Sequence, residues 1–467
     1  MKPGAFISAF LAGGLIALLP ACATARAGAA TAADLEADAV SLEDAVEGSN
    51  AFALDLYREV AKDGDNLFFS PASVSLAMGF AYRGADGETA EQMARVMRYP
   101  GSPVSYLRAA GELDQTMNLS GEGRELRSAN AFWVHKDLKL EPDYTADLEQ
   151  KASGAFRRVD FTADPEAARK AINLWVAGQT EDRIANLIPP KVIRETTAAV
   201  LVNAIYWKAD WLKPFRNEQT KTEPFTMSDG EKIDAELMNT RNDFRGIERG
   251  SVKLVDLPYK GEEVSMVAIL PDRPDGLARL ERTLSAGKLE KWLEELDQTE
   301  PRDTVLTVPK MSLDWSADLA KVIEAMGAPL PFSKQANFDR MARFPLTEDR
   351  MPTVTIGDKS TCGLTISNII HQANIDVDEK GSEAAAATAV VMGTITVTSA
   401  KRGPPPPPPF IFRADHPLMF LLRDKRTGAI LFVGRLVDPR QETTDGPAPD
   451  LSPDPVVSAA QGCPPKL

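Results

Sequence analysis

Residues 379–400 read EKGSEAAAATAVVMGTITVTSA, and the part from Ala384 to Ala400 contains no charged residue and no proline. Alternate residues of an extended strand face the same side, so Ser382 and every second residue up to Thr394 would share one face. That face carries no charge, while Glu383 would point the other way. The stretch therefore suits the interior of a β-sheet. Its alanines also permit a helix, and an ordinary buried helix or strand is an alternative.

The composition is that of a soluble chain with a large core. Of the 467 residues, 43% are hydrophobic, which is enough for extensive burial. The formal net charge is −14 and the isoelectric point about 5.0. Because an acidic chain repels phosphate, nucleic acid is not expected as a partner. The same charge is also the ordinary surface of a soluble protein.

The N-terminus has the pattern of a secretory signal. Lys2 gives it a positive start, and residues 5–21 are apolar over a length that is short for a membrane-spanning helix. The segment ends in Leu19-Pro20-Ala21-Cys22, which resembles a bacterial lipobox. We therefore expect lipidation of this cysteine, Cys22, and attachment to the membrane of the cell envelope. Secretion after cleavage at Ala23-Thr24-Ala25, giving a periplasmic or secreted protein, is the alternative. Both routes predict an extracytoplasmic protein.

Changes in composition divide the chain into four regions. They are a signal peptide with a lipobox (1–22), a flexible tether (23–47), one globular domain (48–439) and a disordered, proline-rich tail (440–467). The globular region contains one low-complexity break, the six consecutive prolines 404–409. Such a run favours polyproline II and excludes a helix or a central strand.

The order of the apolar patterns predicts an α+β fold. Helical spacing dominates the first third, and short apolar runs typical of strands follow it. Helices that come first and strands that come later differ from the alternation of a βαβ fold. The predicted helices are 51–60, with Asn50 as the N-cap, 73–82 and 89–97. The predicted strands are 198–207, 264–270, 305–308 and 429–437.

Enzyme motifs are absent from the sequence. It has no G-x-S-x-G elbow, no HExxH and no Walker loop. The three histidines are interpreted as a solvated loop residue (His135), a buried structural residue (His371) and a turn residue (His416), with an unrecognised Ser-His-Asp triad as the alternative. Cys362 and Cys463 are not expected to form a disulfide, and no Cys/His cluster suggests a metal. We expect no enzyme activity, no metal and no cofactor.

Several further segments resemble motifs of one protein family and follow that family's order. They are NLFFSPAS (66–73), residues 84–93, NAIYWKADW (203–211), FRADHP (412–417) and LFVGRL (431–436). The family is the serpins, and the resemblance extends over about residues 48–439, including the stretch from Glu379 onward. It implies an α+β serpin fold with three β-sheets, about nine helices and an exposed reactive loop at about 379–409.

The resemblance implies inhibition of proteases through a conformational change. A serine or cysteine endopeptidase attacks the reactive loop and forms an acyl-enzyme, and the severed loop then inserts as a new strand in the central sheet. The small, uncharged hinge favours an inhibitory member. A non-inhibitory serpin that acts as a carrier, chaperone or structural protein is the alternative. A monomer is expected.

The resemblance also assigns roles to individual residues. Glu379 begins the hinge and pairs with Lys310 at the top of the sheet, and Trp211 lies where insertion starts. The polar cluster at which the sheet opens consists of Ser70, Ser73, Asn203 and His371. The hinge consists of Glu379, Gly381, Ser382, Glu383, Ala384, Ala385, Ala386, Ala387 and Thr388.

The resemblance also predicts the reactive bond, from the number of residues that usually separates it from the start of the hinge in this family. Counted from Glu379, it joins Ile395 and Thr396, and counted back from the end of the loop it lies a few residues later. An aliphatic residue at this bond suggests an elastase-like, subtilisin-like or chymotrypsin-like target. Cleavage at Lys401 or Arg402 would instead suit a trypsin-like enzyme.

Overall fold

The helices and strands confirm the α+β class. The structure is a computed structural model that describes residues 39–117, 120–121, 124–151, 156–195, 197–342, 354–356, 359–361, 363–382, 407–441 and 443–445. The described residues from Val40 onward belong to one compact unit. Within these ranges there are nine α-helices: α1 Leu42–Val60, α2 Pro71–Gly84, α3 Gly87–Met97, α4 Pro103–Met117, α5 Pro142–Lys151, α6 Pro165–Gln179, α7 Leu277–Thr283, α8 Ala286–Gln298 and α9 Ala320–Ala325.

The strands follow mostly in the second half of the chain. In the described ranges they are β1 Leu67–Phe69, β2 Ser120–Gly121, β3 Arg124–His135, β4 Phe156–Val159, β5 Ala199–Asp210, β6 Lys221–Thr226, β7 Lys232–Arg249, β8 Val252–Pro258, β9 Val264–Pro271, β10 Arg302–Pro309, β11 Met311–Asp318, β12 Val354–Ile356, β13 Lys359–Thr361, β14 Ile369–Val377, β15 Gly381–Ser382, β16 Phe410–Arg413, β17 Leu418–Asp424, β18 Ile430–Leu436 and β19 Thr443–Asp445. The four predicted strands fall on β5, β9, β10 and β18.

A nine-stranded sheet contains the most apolar strands of the chain. Its order is β1-β18-β17-β9-β8-β7-β10-β16, with β6 also paired to β7. The long strand β7 joins the two halves, because one part of it pairs with β10 and its last five residues pair with β8. All residues of β9, β17 and β18 are buried, which explains why these runs are mostly apolar.

The main sheet is the second large sheet and has eight strands. Its order is β19-β11-β14-β15-β5-β3-β2, with β4 paired to β3. Strands β3 and β5 are antiparallel, whereas β14 and β5 pair in parallel, from Ile369↔Leu201 to Asn374↔Tyr206. Alternate residues of β14 are buried, so one face of the main sheet covers the core.

Helix α2 lies in the core beneath the main sheet. All of its residues are buried, and it contacts β3, β5 and β18. The Ser70 hydroxyl accepts the backbone N–H of Ser73 at 3.2 Å, and Pro71 occupies the first turn, where a missing N–H is tolerated. The helix therefore brings buried serine hydroxyls under the sheet, where each needs a partner within the protein.

The first helix begins earlier than the sequence predicted. Asn50 is not its N-cap: its side chain instead donates to the Gly428 carbonyl at 2.9 Å and accepts the Ile430 N–H at 2.8 Å. The helix starts after Ser41, whose hydroxyl accepts the Asp44 N–H at 3.0 Å while the Asp44 carboxylate accepts the Ser41 N–H at 3.0 Å. This capping box is local and independent of the apolar spacing. The last residues of the predicted tether are thus helical.

The C-terminal tail also departs from expectation. We predicted no regular structure after residue 440, because the tail is polar and rich in proline. Thr443–Asp445 nevertheless form β19, which pairs in parallel with β11. The composition could not reveal this strand, because its partner lies far away in the sequence.

No helix among the described residues is both long and apolar enough to cross a membrane. The predicted lipidation site, Cys22, lies outside the described residues, as do Cys362 and Cys463. The anchor therefore stays a prediction.

The capping box of α1 predicts a stability effect. Ser41→Ala leaves an N-terminal amide of the helix without an acceptor, and we expect a loss of about 0.5–2 kcal/mol. Urea unfolding followed by circular dichroism should therefore show a lower midpoint. Ser41→Thr keeps an acceptor hydroxyl and serves as the control. Equal midpoints for the alanine variant and the wild type would contradict this role of Ser41.

Candidate functional site at the centre of the main sheet

The two central strands of the main sheet separate at one end, and the start of the predicted hinge lies between them. Direct pairing of β14 with β5 ends at Asn374↔Tyr206. Beyond that point, β15 pairs antiparallel with both strands, with Ser382 opposite Val377 on one side and opposite Ala209 on the other. Two residues of the predicted hinge, Gly381 and Ser382, are therefore already part of the sheet.

Gly381 is at a position with no space for a side chain. A Cβ atom there would overlap the carbonyl oxygen of Ala209 and lie 2.7 Å from the Cα of Asp210. Both obstacles are backbone atoms of β5, so they cannot move away as a side chain could. Only glycine allows the chain to enter between the strands at this point.

Ser382 is fully buried and meets an aromatic group below the sheet. Its hydroxyl shares a hydrogen bond of 2.7 Å with the Tyr259 hydroxyl. The Tyr259 ring stacks on Trp211, with 4.4 Å between the ring centroids, and meets Trp207 edge-on at 5.3 Å. Burial raises the pKa of Tyr259 well above its ordinary value, so the phenol stays neutral. A small polar residue is thus matched to a buried polar partner.

Trp211 holds the turn that leads into the hinge. Its indole N–H donates to the Asp378 carbonyl at 3.0 Å, and its backbone N–H donates to the Lys380 carbonyl at 2.7 Å. The Phe215 N–H donates to the Glu379 carbonyl at 2.8 Å. Three consecutive carbonyls of the turn are therefore fixed by the segment that follows β5.

The Glu379 carboxylate lies at the same end of the sheet and is nearly buried. It accepts a hydrogen bond of 2.6 Å from the Thr220 hydroxyl, and the Lys310 ammonium is 3.3 Å away. Burial alone would raise the pKa of Glu379, but the Thr220 hydroxyl and the Lys310 charge outweigh it and hold the pKa below its usual value. The pair expected from the sequence is brought together, with Thr220 as an additional partner.

The predicted sheet-opening cluster also comes together, beneath the pairing of β14 with β5. His371 and Asn203 are directly opposite each other in the register, and the His371 Nδ1 bonds the Asn203 Oδ1. The Asn203 amide donates to the Ser73 hydroxyl at 2.6 Å and to the Asn130 Oδ1 at 2.5 Å. The Ser70 N–H donates to the His371 Nε2 at 3.1 Å. Every member is buried.

These contacts define the tautomer and the protonation state of His371. Because its Nε2 accepts a hydrogen bond from Ser70, the ring proton is on Nδ1 and is donated to Asn203. Burial lowers the pKa of His371 to about 3. The imidazole is therefore neutral at physiological pH, and the cluster contains no charge.

Three participants were missed in the sequence. Asn130 lies in β3, where only the pairing with β5 brings it to Asn203. Thr220 is near Glu379 only through the folding of the segment after β5. Tyr259 had only a weak local signal, since it follows Pro258 in a stretch that also contains Lys253 and Asp256. Long-range contacts of this kind are not visible in local patterns.

The other histidines have structural surroundings. His135 is buried rather than solvated, because it ends β3 and packs against Phe161; its Nδ1 accepts the Asp137 N–H at 3.2 Å. His416 bonds the Pro271 carbonyl through Nε2 at 2.6 Å. The hinge residues 383–388 and the predicted reactive bond between Ile395 and Thr396 lie outside the described residues.

The neutral state of His371 predicts a pH dependence. In the unfolded chain this histidine binds a proton near pH 6.5, whereas in the folded chain it does so only near pH 3. Its contribution to stability is therefore complete above about pH 6.5 and is lost as the pH falls toward 3. In His371→Asn this loss is absent, so the difference between the urea midpoints of wild type and variant should shrink from pH 8 to pH 4.

Ile370→Val, at the preceding position of β14, is the control for this experiment. It shortens a buried apolar side chain without removing a titratable group, so its midpoint should differ from that of the wild type by a constant amount. Parallel curves for wild type and His371→Asn would contradict the low pKa of His371.

Comparisons with known proteins agree with the motifs. A family model described as Serpin (serine protease inhibitor) matches residues 47–439. An uncharacterized serpin-like protein of Methanosarcina acetivorans is 32% identical over 406 residues, which cover 87% of this chain and 88% of that protein. Human Serpin B3 is 32% identical over 412 residues, which cover 84% of this chain and 99% of Serpin B3.

A solved structure shares the fold. AtSerpin1 of Arabidopsis, in its native stressed conformation, has a TM-score of 0.70 and 25% identity, with 86% of this chain and 100% of that chain covered. The expected serpin architecture is therefore confirmed. Since the family model covers most of the length and the relatives match across nearly their whole sequences, the chain belongs to the serpin family.

Proposed function

We propose that this serpin inhibits serine endopeptidases by inserting its cleaved reactive loop between β5 and β14 of the main sheet. Members of the family are generally protease inhibitors rather than enzymes. The observation that supports insertion best is β15, because Ser382 already pairs with both flanking strands and Gly381 pairs with β5. The rest of the loop would continue from Ser382 in the same direction.

The cluster beneath the sheet supports the next step. Insertion must separate β14 from β5, and the contact between His371 and Asn203 spans that line. After separation, His371 would keep the Ser70 N–H, and Asn203 would keep Ser73 and Asn130. Each side chain thus retains one partner, while the His371 Nδ1–H and the Asn203 Oδ1 would need new partners as the strands separate.

Backbone hydrogen bonds supply the driving force. The direct pairing of β14 with β5 is parallel, whereas an inserted strand is antiparallel to both, and antiparallel pairing is slightly more stable per residue. Residues 381–395 would span about 50 Å at about 3.3 Å each. At a net ~0.5–1.5 kcal/mol per hydrogen bond, the gain is on the order of ten kcal/mol, so the intact protein is kinetically trapped.

The chemistry of capture is that of an interrupted proteolysis. The serine Oγ of the protease attacks the Ile395 carbonyl carbon, the bond to Thr396 breaks, and the amine of Thr396 leaves with a proton. The ester that remains tethers the protease to the inserting strand. Elastase-like, subtilisin-like and chymotrypsin-like enzymes suit the aliphatic residue at this bond.

We place the protein outside the cytoplasm, held by a lipid on Cys22.

A protease panel tests the proposal. With a suitable enzyme, we expect a complex that resists boiling in SDS and a C-terminal fragment that begins at Thr396 by mass spectrometry. A fragment that begins after Arg402 would contradict the assigned bond. Cleavage without any complex, and without a rise in the melting temperature of the cleaved protein, would favour the carrier, chaperone or structural alternative.

Ser382→Arg tests insertion itself. Ser382 is completely buried between β14 and β5, and burying a guanidinium there is costly. Insertion should slow, so the variant becomes a substrate. We expect the stoichiometry of inhibition to rise at least about tenfold, which corresponds to ~1.4 kcal/mol in the competition between insertion and deacylation.

Glu383→Arg is the matched control. It introduces the same side chain at the next position, which the alternation of a strand directs toward solvent. This variant should still form the complex. If Ser382→Arg also inhibited like the wild type, insertion at this position would be refuted.

A further inference from the structure

The outer edge of the main sheet is covered by the chain's own C-terminal tail. Strand β19 pairs in parallel with β11, with Asp314↔Thr443, Trp315↔Thr444 and Ser316↔Asp445 in register. On its other side β11 pairs with β14, so β19 is the last strand of the main sheet at this edge. The match to the family model ends at residue 439, and β19 therefore lies beyond the shared family domain.

A buried asparagine fixes the path of the tail toward this edge. The Asn66 side-chain amide donates to the carbonyls of Asp438 at 2.7 Å and Gln441 at 2.9 Å. Its Oδ1 accepts the backbone N–H groups of Val437 at 2.7 Å and Asp438 at 3.1 Å. The amide thus makes four hydrogen bonds to the segment just before β19. The tail therefore approaches β11 from a position that Asn66 fixes.

Ion pairing and a turn support the same path. The Arg440 guanidinium makes two hydrogen bonds to the Asp438 carboxylate, at 3.0 Å and 2.7 Å. The Gln441 N–H donates to the Asp438 carbonyl at 3.2 Å. The segment from 438 to 441 is therefore held by its own contacts as well as by Asn66, which keeps the following residues at a high local concentration beside β11.

An uncovered β11 would be a template for another chain. The edge of a sheet presents a row of backbone N–H and C=O groups that pair readily with any extended segment. On β11, Leu313 and Trp315 are buried while Ser312, Asp314 and Ser316 are partly exposed, which is the ordinary alternation of a half-buried strand. Because this chain also contains long uncharged stretches such as 384–400, a second copy would be a ready source of such a segment.

We propose that Thr443–Asp445 are an intramolecular cap that prevents β11 from pairing with an extended segment of a second copy of this chain. The cap works in cis because the anchor at Asn66 brings it to the edge. It acts at β11 and not between β5 and β14, so it does not depend on inhibition by loop insertion.

Adjacent prolines test the cap. Consecutive residues of a strand direct their N–H groups to alternate sides, so one of Thr443 and Thr444 donates toward β11. Replacing both with proline therefore removes that donor, because proline has no N–H. Light scattering during gel filtration should show oligomers that increase with protein concentration. Hydrogen exchange of the amides of residues 314–316 should become faster at low concentration, where the variant is monomeric.

Thr443→Val combined with Thr444→Val is the matched control. It keeps both N–H groups and the β-branched shape, so this variant should remain monomeric with slow exchange. The proposal is overturned if the proline variant has unchanged exchange in residues 314–316. It is also overturned if exchange becomes faster but the variant stays as monomeric as the wild type.

Truncation gives a second, independent test. A chain that ends at Gln441 keeps the contacts of Asn66 but lacks β19, and it should form oligomers. A chain that ends at Ala448 keeps β19 and loses the rest of the tail, and it should behave like the wild type. Monomeric behaviour of the shorter chain, or equal oligomerisation of both, would overturn the assignment of the cap to Thr443–Asp445.

Discussion

The structure depends on the line along which β5 and β14 meet. Over most of its length the two strands pair directly with each other, and at one end β15 lies between them, with Ser382 paired to both. Buried backbone donors and acceptors must be paired in any stable state. The sheet is therefore complete when closed, and under the proposed mechanism an incoming strand would have to replace the lost pairs as the sheet opens. This constraint favours gradual opening from the β15 end over separation of the whole sheet.

The side chains around this line keep one end partly open and the other end closed. At the open end, Gly381 removes the steric obstacle and Ser382 finds a hydroxyl partner in Tyr259. At the closed end, the contact of His371 with Asn203 crosses between the strands and is neutral. A neutral network can exchange partners without leaving a buried charge, whereas an ion pair at the same place would make separation far more costly.

Local patterns predicted the elements whose causes are local. The apolar runs fell on β5, β9, β10 and β18, and the family motifs led to Glu379 with Lys310 and to the cluster of His371. The predicted start of α1 was wrong. Asparagine is a common N-cap residue, but the Asn50 side chain bonds the turn before β18. The reciprocal hydrogen bonds of Ser41 and Asp44, which do cap the helix, lie in a charged, alanine-rich stretch that we interpreted as a tether.

Residues that act through distant partners could not be predicted. Three such residues lie in ordinary strand or loop segments: Asn130, Thr220 and Tyr259. Each has a role at the site only because folding brings it next to a residue that is distant in the sequence. Strand β19 is the extreme case, since three polar residues in a proline-rich tail become a strand because β11 offers an edge. Propensity is a weak guide where pairing decides.

If the main sheet admits a strand at its centre, as proposed, strand addition at its edge has to be prevented. A strand between β5 and β14 would form two ladders but replace the direct ladder of those strands, so over that stretch it would gain one ladder net, as a strand on β11 would. The edge, however, would be accessible without any prior opening, and an incoming segment would meet it sooner. The hydrogen-bond count alone would therefore not protect a kinetically trapped protein from strand addition at the edge. Under the proposed mechanism, occupying the edge in cis would remove the faster competitor and leave strand addition to the place between β5 and β14 where the polar cluster and Gly381 lie.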